Sequence, residues 1–117
     1  MKSRIAITAL NTISALGSNP EEIWRHYQNS QTHIQKKLIN GETQFMASIP
    51  DDLQTQLQSI RTENTQYQHL DASVINAMWV ARQAIEQAKW GNDRQFGVFL
   101  GSSRGATQQL ETYHRTF

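Results

Sequence analysis

Gly101-x-Ser103-x-Gly105 is the stretch where residue type and spacing together could build a nucleophile. In that pattern a sharp strand-to-helix turn exposes a serine oxygen beside the backbone amides of a helix start. An acid and then a histidine should follow the serine along the chain. Only Glu111 and His114 do, both inside one nascent helix and within 11 residues of Ser103. They give no independent placement of acid and base. A glycine-rich turn that lets a strand and a helix meet closely is therefore favoured over a serine hydrolase. There is no cysteine, which excludes a disulfide framework, a Cys-based zinc site and a thiol nucleophile within these residues. His26, His33, His69 and His114 have no spacing that would set two ligands on one helix face. No metal and no cofactor is expected.

Composition narrows the partners. With 11 Lys+Arg against 10 Asp+Glu the net charge is +1, too small for the field that a phosphate-binding surface needs, so nucleic acid is not an expected partner. The 117 residues suit one domain at most. Met1-Lys2-Ser3-Arg4 leads into an apolar run that ends at Leu10. That run is too short for a signal peptide or a membrane span, and a cytoplasmic chain is expected. At 38% hydrophobic residues and a mean hydropathy of −0.61 the chain is lean. Its apolar residues gather in two framework segments, 4–27 and 70–117, around a Gln/Thr/Asn-rich variable excursion over 28–69.

The elements that must position any chemistry follow from periodicity. Arg4 to Leu10 is β-branched and nearly continuous in apolar residues, the pattern of a strand covered on both faces. After a turn through Asn11 to Gly17, Asn19-Pro20-Glu21-Glu22 starts a helix: a side-chain acceptor, a proline at its first position, and acids at the positive end of the dipole. Thr43 to Ile49 suits a short strand, and Pro50-Asp51-Asp52 opens another helix. Ile49, Leu53, Leu57 and Ile60 form one narrow stripe along it, which predicts a surface helix. Asp71 then caps a strong helix expected to end with Gly91 as the left-handed residue beyond it. Val74, Ala77, Met78, Ala81, Ile85 and Ala88 line one of its faces; Ile75 and Trp79 add a second. A polar link, Asn92 to Gln95, precedes a second buried strand, Phe96 to Leu100; the Gly101–Gly105 turn and a helix from Ala106 to Phe117 follow. This order is an α/β layout.

The residues carry a resemblance as well. Arg4-Ile5-Ala6-Ile7-Thr8, then Ile13-Ser14-Ala15-Leu16-Gly17 and Pro20-Glu21-Glu22-Ile23-Trp24, resemble the opening of the β-ketoacyl-acyl-carrier-protein synthases. There a strand ending in Val/Ile-Thr-Gly-x-Gly leads to Ser-Pro-Leu-Gly and a helix carrying Glu-Glu-Phe-Trp. Leu70-Asp71 and Ala81-Arg82-Gln83-Ala84-Ile85-Glu86-Gln87-Ala88 are similar to the family's Met-Asp and Ala-Arg-Glu-Ala-Leu-Glu-Asp-Ala. Phe96 to Ser102 looks like its next strand and Gly-Ser turn. Departures mark a divergent member: Ala9-Leu10-Asn11 replaces Gly-x-Gly, Ala15 replaces the proline, and Ser103, Arg104 and Ala106 stand in the Gly-Ser-Gly-x-Gly-Gly turn.

The resemblance implies the N-terminal part of a thiolase-like fold, a parallel or mixed sheet with packed helices, incomplete in this chain. It implies decarboxylative condensation of an acyl thioester with malonyl on an acyl carrier protein, in fatty acid, polyketide or polyene synthesis. The implied partners are the carrier protein, acyl and malonyl thioesters, and a second ketosynthase-type chain in a homodimer or heterodimer. The family's cysteine and two histidines map to no residue here, so the chain is expected to be a fragment without catalysis of its own. Ser102, Ser103, Arg104 and Thr107 are the candidates for acyl-pocket or dimer contact. A chain-length-factor subunit, a serine hydrolase using Ser103 and a standalone non-catalytic α/β domain are the alternatives.

Overall fold

In the computed structural model, residues 4–91 and 95–116 are described. The start at Met1 to Ser3, most of the polar link (Asn92 to Arg94) and Phe117 lie outside them. The chain divides into two units, residues 12–58 and residues 1–11 with 59–117.

In the 12–58 unit, Ser14 and Gly17 exchange both backbone hydrogen bonds at 3.1 Å, and the Ser14 hydroxyl accepts from Leu16 N–H. Gly17 has φ +97°, and a Cβ there would lie 3.2 Å from the Glu22 carboxylate. The left-handed conformation requires glycine, whereas the exposed end of the Glu22 side chain could move aside. Helix α1, Pro20–Gln28, starts as expected: the Asn19 side chain accepts from the N–H groups of Glu21 and Glu22 at 2.9 and 3.1 Å. Strands β1, Gln35–Ile39, and β2, Glu42–Met46, form an antiparallel hairpin with Leu38 opposite Thr43. The strand expected over 43–49 thus lies slightly earlier, and its partner β1 was not anticipated. The turn is Asn40-Gly41, with φ of 52° and 83°. Two left-handed residues match the right-handed twist of the strands, which is why Asn-Gly drives this hairpin.

Helix α2, Asp51–Glu63, crosses the division between the units. It is the expected surface helix with one narrow apolar stripe: Leu53, Leu57 and Ile60 are buried, while the polar positions between them are exposed. A narrow stripe suffices, because three large aliphatic side chains withdraw more apolar area than the surrounding glutamines could.

The other unit holds a 3-10 turn, Thr65–His69, helix α3, Ala72–Gln87, and helix α4, Thr107–Thr116. The buried face of α3 is the pair Ile75 and Trp79, at 1% and 7% exposure, whereas Ala77, Ala81 and Ile85 are exposed. The two faces therefore exchange their expected importance. Ile75 and Trp79 lie one turn apart and bring far more apolar area to one spot than a row of alanines. The end of α3 is also corrected. Ala88 is the cap and Lys89, with φ 54°, takes the left-handed place assigned to Gly91. Lys89 N–H donates to Glu86 O and Trp90 N–H to Ile85 O, which completes a Schellman motif. A lysine there carries the steric cost of its Cβ. Lys89→Gly should raise the unfolding free energy by up to about 1 kcal/mol in chemical denaturation.

The runs expected as buried strands, Arg4 to Leu10 and Phe96 to Leu100, join no ladder among the described residues. Ile5 and Phe99 are 97% and 98% exposed. Apolar periodicity selects residues able to form a central strand, but a strand exists only where a neighbouring strand takes its N–H and C=O groups, and a central one needs such a neighbour on each edge. The architecture is mixed α/β, with four helices and one two-stranded sheet among the described residues. None of those helices is long and apolar enough to cross a membrane.

Candidate functional site

The candidate site is the turn before α4 and the cleft beside it. The Ser102 hydroxyl accepts from Gly105 N–H at 2.8 Å, and Gly105 O accepts from Thr107 N–H at 3.1 Å. Gly105 has φ +67°, with nothing within 4 Å of where a Cβ would stand. Glycine is needed there for its backbone conformation and not for space. Helix α4 begins at Thr107. Ser102, Ser103, Arg104 and Thr107 are all exposed, three on the turn and one at the first residue of α4.

Asp71 ties the start of α4 to the start of α3. One carboxylate oxygen accepts from the Ser73 amide at 2.8 Å and the Ser73 hydroxyl at 2.7 Å, capping α3; the other accepts from Gln108 N–H at 3.3 Å, in the first turn of α4. A single carboxylate thus serves two helix N-termini, where amides lack intrahelical acceptors and the dipole favours negative charge. Asp71 is the buried charged side chain among the described residues, at 9% exposure. Its carboxyl is held below the ordinary aspartate value of 3.8, first by the Ser73 hydroxyl and amide, with smaller help from Gln108 and the Arg61 charge, against the opposing effect of burial.

Arg61 closes the neighbouring 3-10 turn. Its Nη1 donates to Leu70 O at 2.6 Å and more weakly to Gln68 O and Tyr67 O. The Gln109 side-chain amide donates to His69 O. Around these groups lies a cleft of about 450 Å³, lined by Arg61, Asp71, Gln108, Thr112 and Tyr113 among others. Its polar groups largely satisfy one another, so it holds the turn in place more than it offers a reactive centre. At the end of α2, Glu63 accepts from Arg82 of α3 at 2.8 Å, which keeps the glutamate below its usual range.

Glu111 and His114 both stand exposed on α4, and among the described residues neither is hydrogen-bonded to Ser103. Of the four histidines, His69 borders the cleft and His114 lies on α4. His26 and His33 come together instead, with Nδ1 and Nε2 3.1 Å apart. Ligand spacing along a helix cannot reveal that pair, because His33 lies past the end of α1. Among the described residues no group of three or more His, Asp or Glu gathers as a metal centre.

The family model for the beta-ketoacyl synthase N-terminal domain matches residues 2–116. No curated protein and no solved structure matches the chain at a significant level. The match runs through the Ser14–Gly17 turn, the Asn19 cap, the Asp71 cap and the Gly101–Gly105 turn alike, and the chain therefore belongs to the beta-ketoacyl synthase family, as an N-terminal domain of the thiolase-like fold.

Proposed function

We propose that this chain is the N-terminal portion of an enzyme that condenses an acyl thioester with malonyl on an acyl carrier protein. In that reaction a nucleophile first takes the acyl group. The malonyl C–CO2 bond then breaks to give CO2 and an enolate, whose carbon forms the new C–C bond at the acyl carbonyl and expels the nucleophile. The observation that carries the reading is the family match over residues 2–116. The 117 residues contain no cysteine, so a thiol nucleophile has to come from outside them, and the chain contributes framework and not catalysis. Residues 4–27 and 70–117 form that framework and 28–69 the variable excursion. The proposed partners are the carrier protein and a second ketosynthase-type chain, in fatty acid, polyketide or polyene synthesis in the cytoplasm.

Within this reading Ser102, Ser103, Arg104 and Thr107 contact the acyl chain or the partner subunit. Their shared exposure beside a helix start held by Asp71 supports such a role, since an anchored helix start presents side chains at low entropic cost. The test offers carboxyl-labelled malonyl carrier protein and acyl thioesters to the full product of the gene encoding this chain. Labelled CO2 and a 3-oxoacyl thioester are expected. Arg104→Ala should then shift the kcat/KM ratio between acyl lengths by roughly tenfold, or weaken dimerisation. Absence of condensation, with covalent labelling of Ser103 by a fluorophosphonate, would replace this reading with a hydrolase.

A further inference from the structure

His26 lies in the last turn of α1, and the chain reverses after the helix to bring His33 back against it. His33 Nε2 and His26 Nδ1 are 3.1 Å apart, with the rings at 79° and their centroids separated by 4.3 Å. At that centroid distance the rings are inclined to each other, and the two nitrogens do not meet head-on. The other nitrogen of His26, Nε2, is 3.7 Å from Glu22 Oε1, one helical turn earlier. Neither histidine is fully exposed. Arg25 is the nearest cation in sequence, and it points about 100° around the helix from His26.

We propose that His26 and His33 form a two-histidine site for a divalent transition-metal ion of borderline softness, with Zn2+ as the test ion and water filling the remaining positions. Zn–N bonds of about 2.0–2.1 Å at a near-tetrahedral angle separate two ligating nitrogens by ~3.3 Å, close to the spacing already present. In the metal-free pair one nitrogen donates a proton to the other. Binding requires both lone pairs to be free. Glu22 Oε1, 3.7 Å from His26 Nε2, is too far for a hydrogen bond but places negative charge beside the ring, which favours a bound cation. His33 completes the exchange by carrying its proton on Nδ1. No step of the condensation uses this site.

The test is a Zn2+ titration of the untagged chain by calorimetry, followed in parallel through the histidine ring resonances by NMR. Saturable binding at one ion per chain is expected, with the His26 and His33 rings shifting and those of His69 and His114 unmoved. His33→Gln and His26→Gln should each weaken binding at least tenfold; a His69→Gln/His114→Gln double variant should bind as the parent does. The ring resonances of the unsubstituted chain keep the test independent of whether a variant folds. No saturable binding, equal shifts at all four histidines, or full affinity in His33→Gln would overturn the site and leave a hydrogen-bonded pair.

Discussion

Ile75→Ala should lower the unfolding free energy by about 2–5 kcal/mol, the range for removing a buried aliphatic side chain and leaving its cavity behind. Ile75 is 1% exposed and lies one turn from Trp79, at 7%. Loss at this position removes both the transfer energy of the side chain and its contacts with neighbours that cannot fully close the gap. The measurement is a urea titration, with Ile5→Ala as the comparison. Ile5 is 97% exposed, so its truncation should move the free energy by no more than about 0.5 kcal/mol. The contrast locates the stabilising core. A cost for Ile5→Ala as large as that for Ile75→Ala would mean that the Arg4–Leu10 run is packed in solution, and would refute this description of the core.

Asp71→Ala should loosen two helix starts at once. Its carboxylate accepts from Ser73 at α3 and from Gln108 at α4. Hydrogen exchange at the Ser73 and Gln108 amides should therefore quicken by roughly tenfold at both places, since each loses an acceptor in a partly buried setting. Asp71→Asn keeps a side-chain oxygen and should spare most of the α3 cap. The charge adds a pH dependence of defined sign. Because the folded carboxyl is held below 3.8, the unfolded state binds the proton more readily. The stabilisation is complete above about pH 4 and fades as the pH falls through the lowered native value. Asp71→Asn should lack this acid-side loss. Equal acid sensitivity in parent and Asp71→Asn would show that the two caps do not depend on the carboxylate charge.

The legible parts of this fold are those set by a few neighbouring residues. Asn19-Pro20-Glu21-Glu22 placed the start of α1, and Asp71 the start of α3, because a cap needs only one acceptor two or three residues before the amides it serves. The Asn40-Gly41 hairpin is equally local, since two residues able to adopt positive φ are enough to set its turn. The end of α3 was assigned to the wrong residue for a different reason. Glycine is favoured in the left-handed position, but Lys89 occupies it because the Schellman hydrogen bonds to Glu86 and Ile85 close there. As for the site, the placing of the four candidate residues at a glycine-rich turn and the helix start after it is readable. That this helix start is tied through Gln108 to the α3 cap, 37 residues earlier, is not.

By itself the sequence determined the family, the helix starts, the glycine-dependent turns and the absence of a thiol from these 117 residues. All of these depend on residue identity or on contacts a few positions apart. Tertiary structure decided which apolar residues are buried: Ile75 and Trp79 in preference to the alanine face, the α2 stripe in preference to the β-branched run at 4–10. It also decided that one aspartate serves two helices and that His26 meets His33. Periodicity states which side chains could share a face. Burial and pairing depend on what the rest of the chain brings against that face, and a strand in particular has no hydrogen-bonding partner of its own.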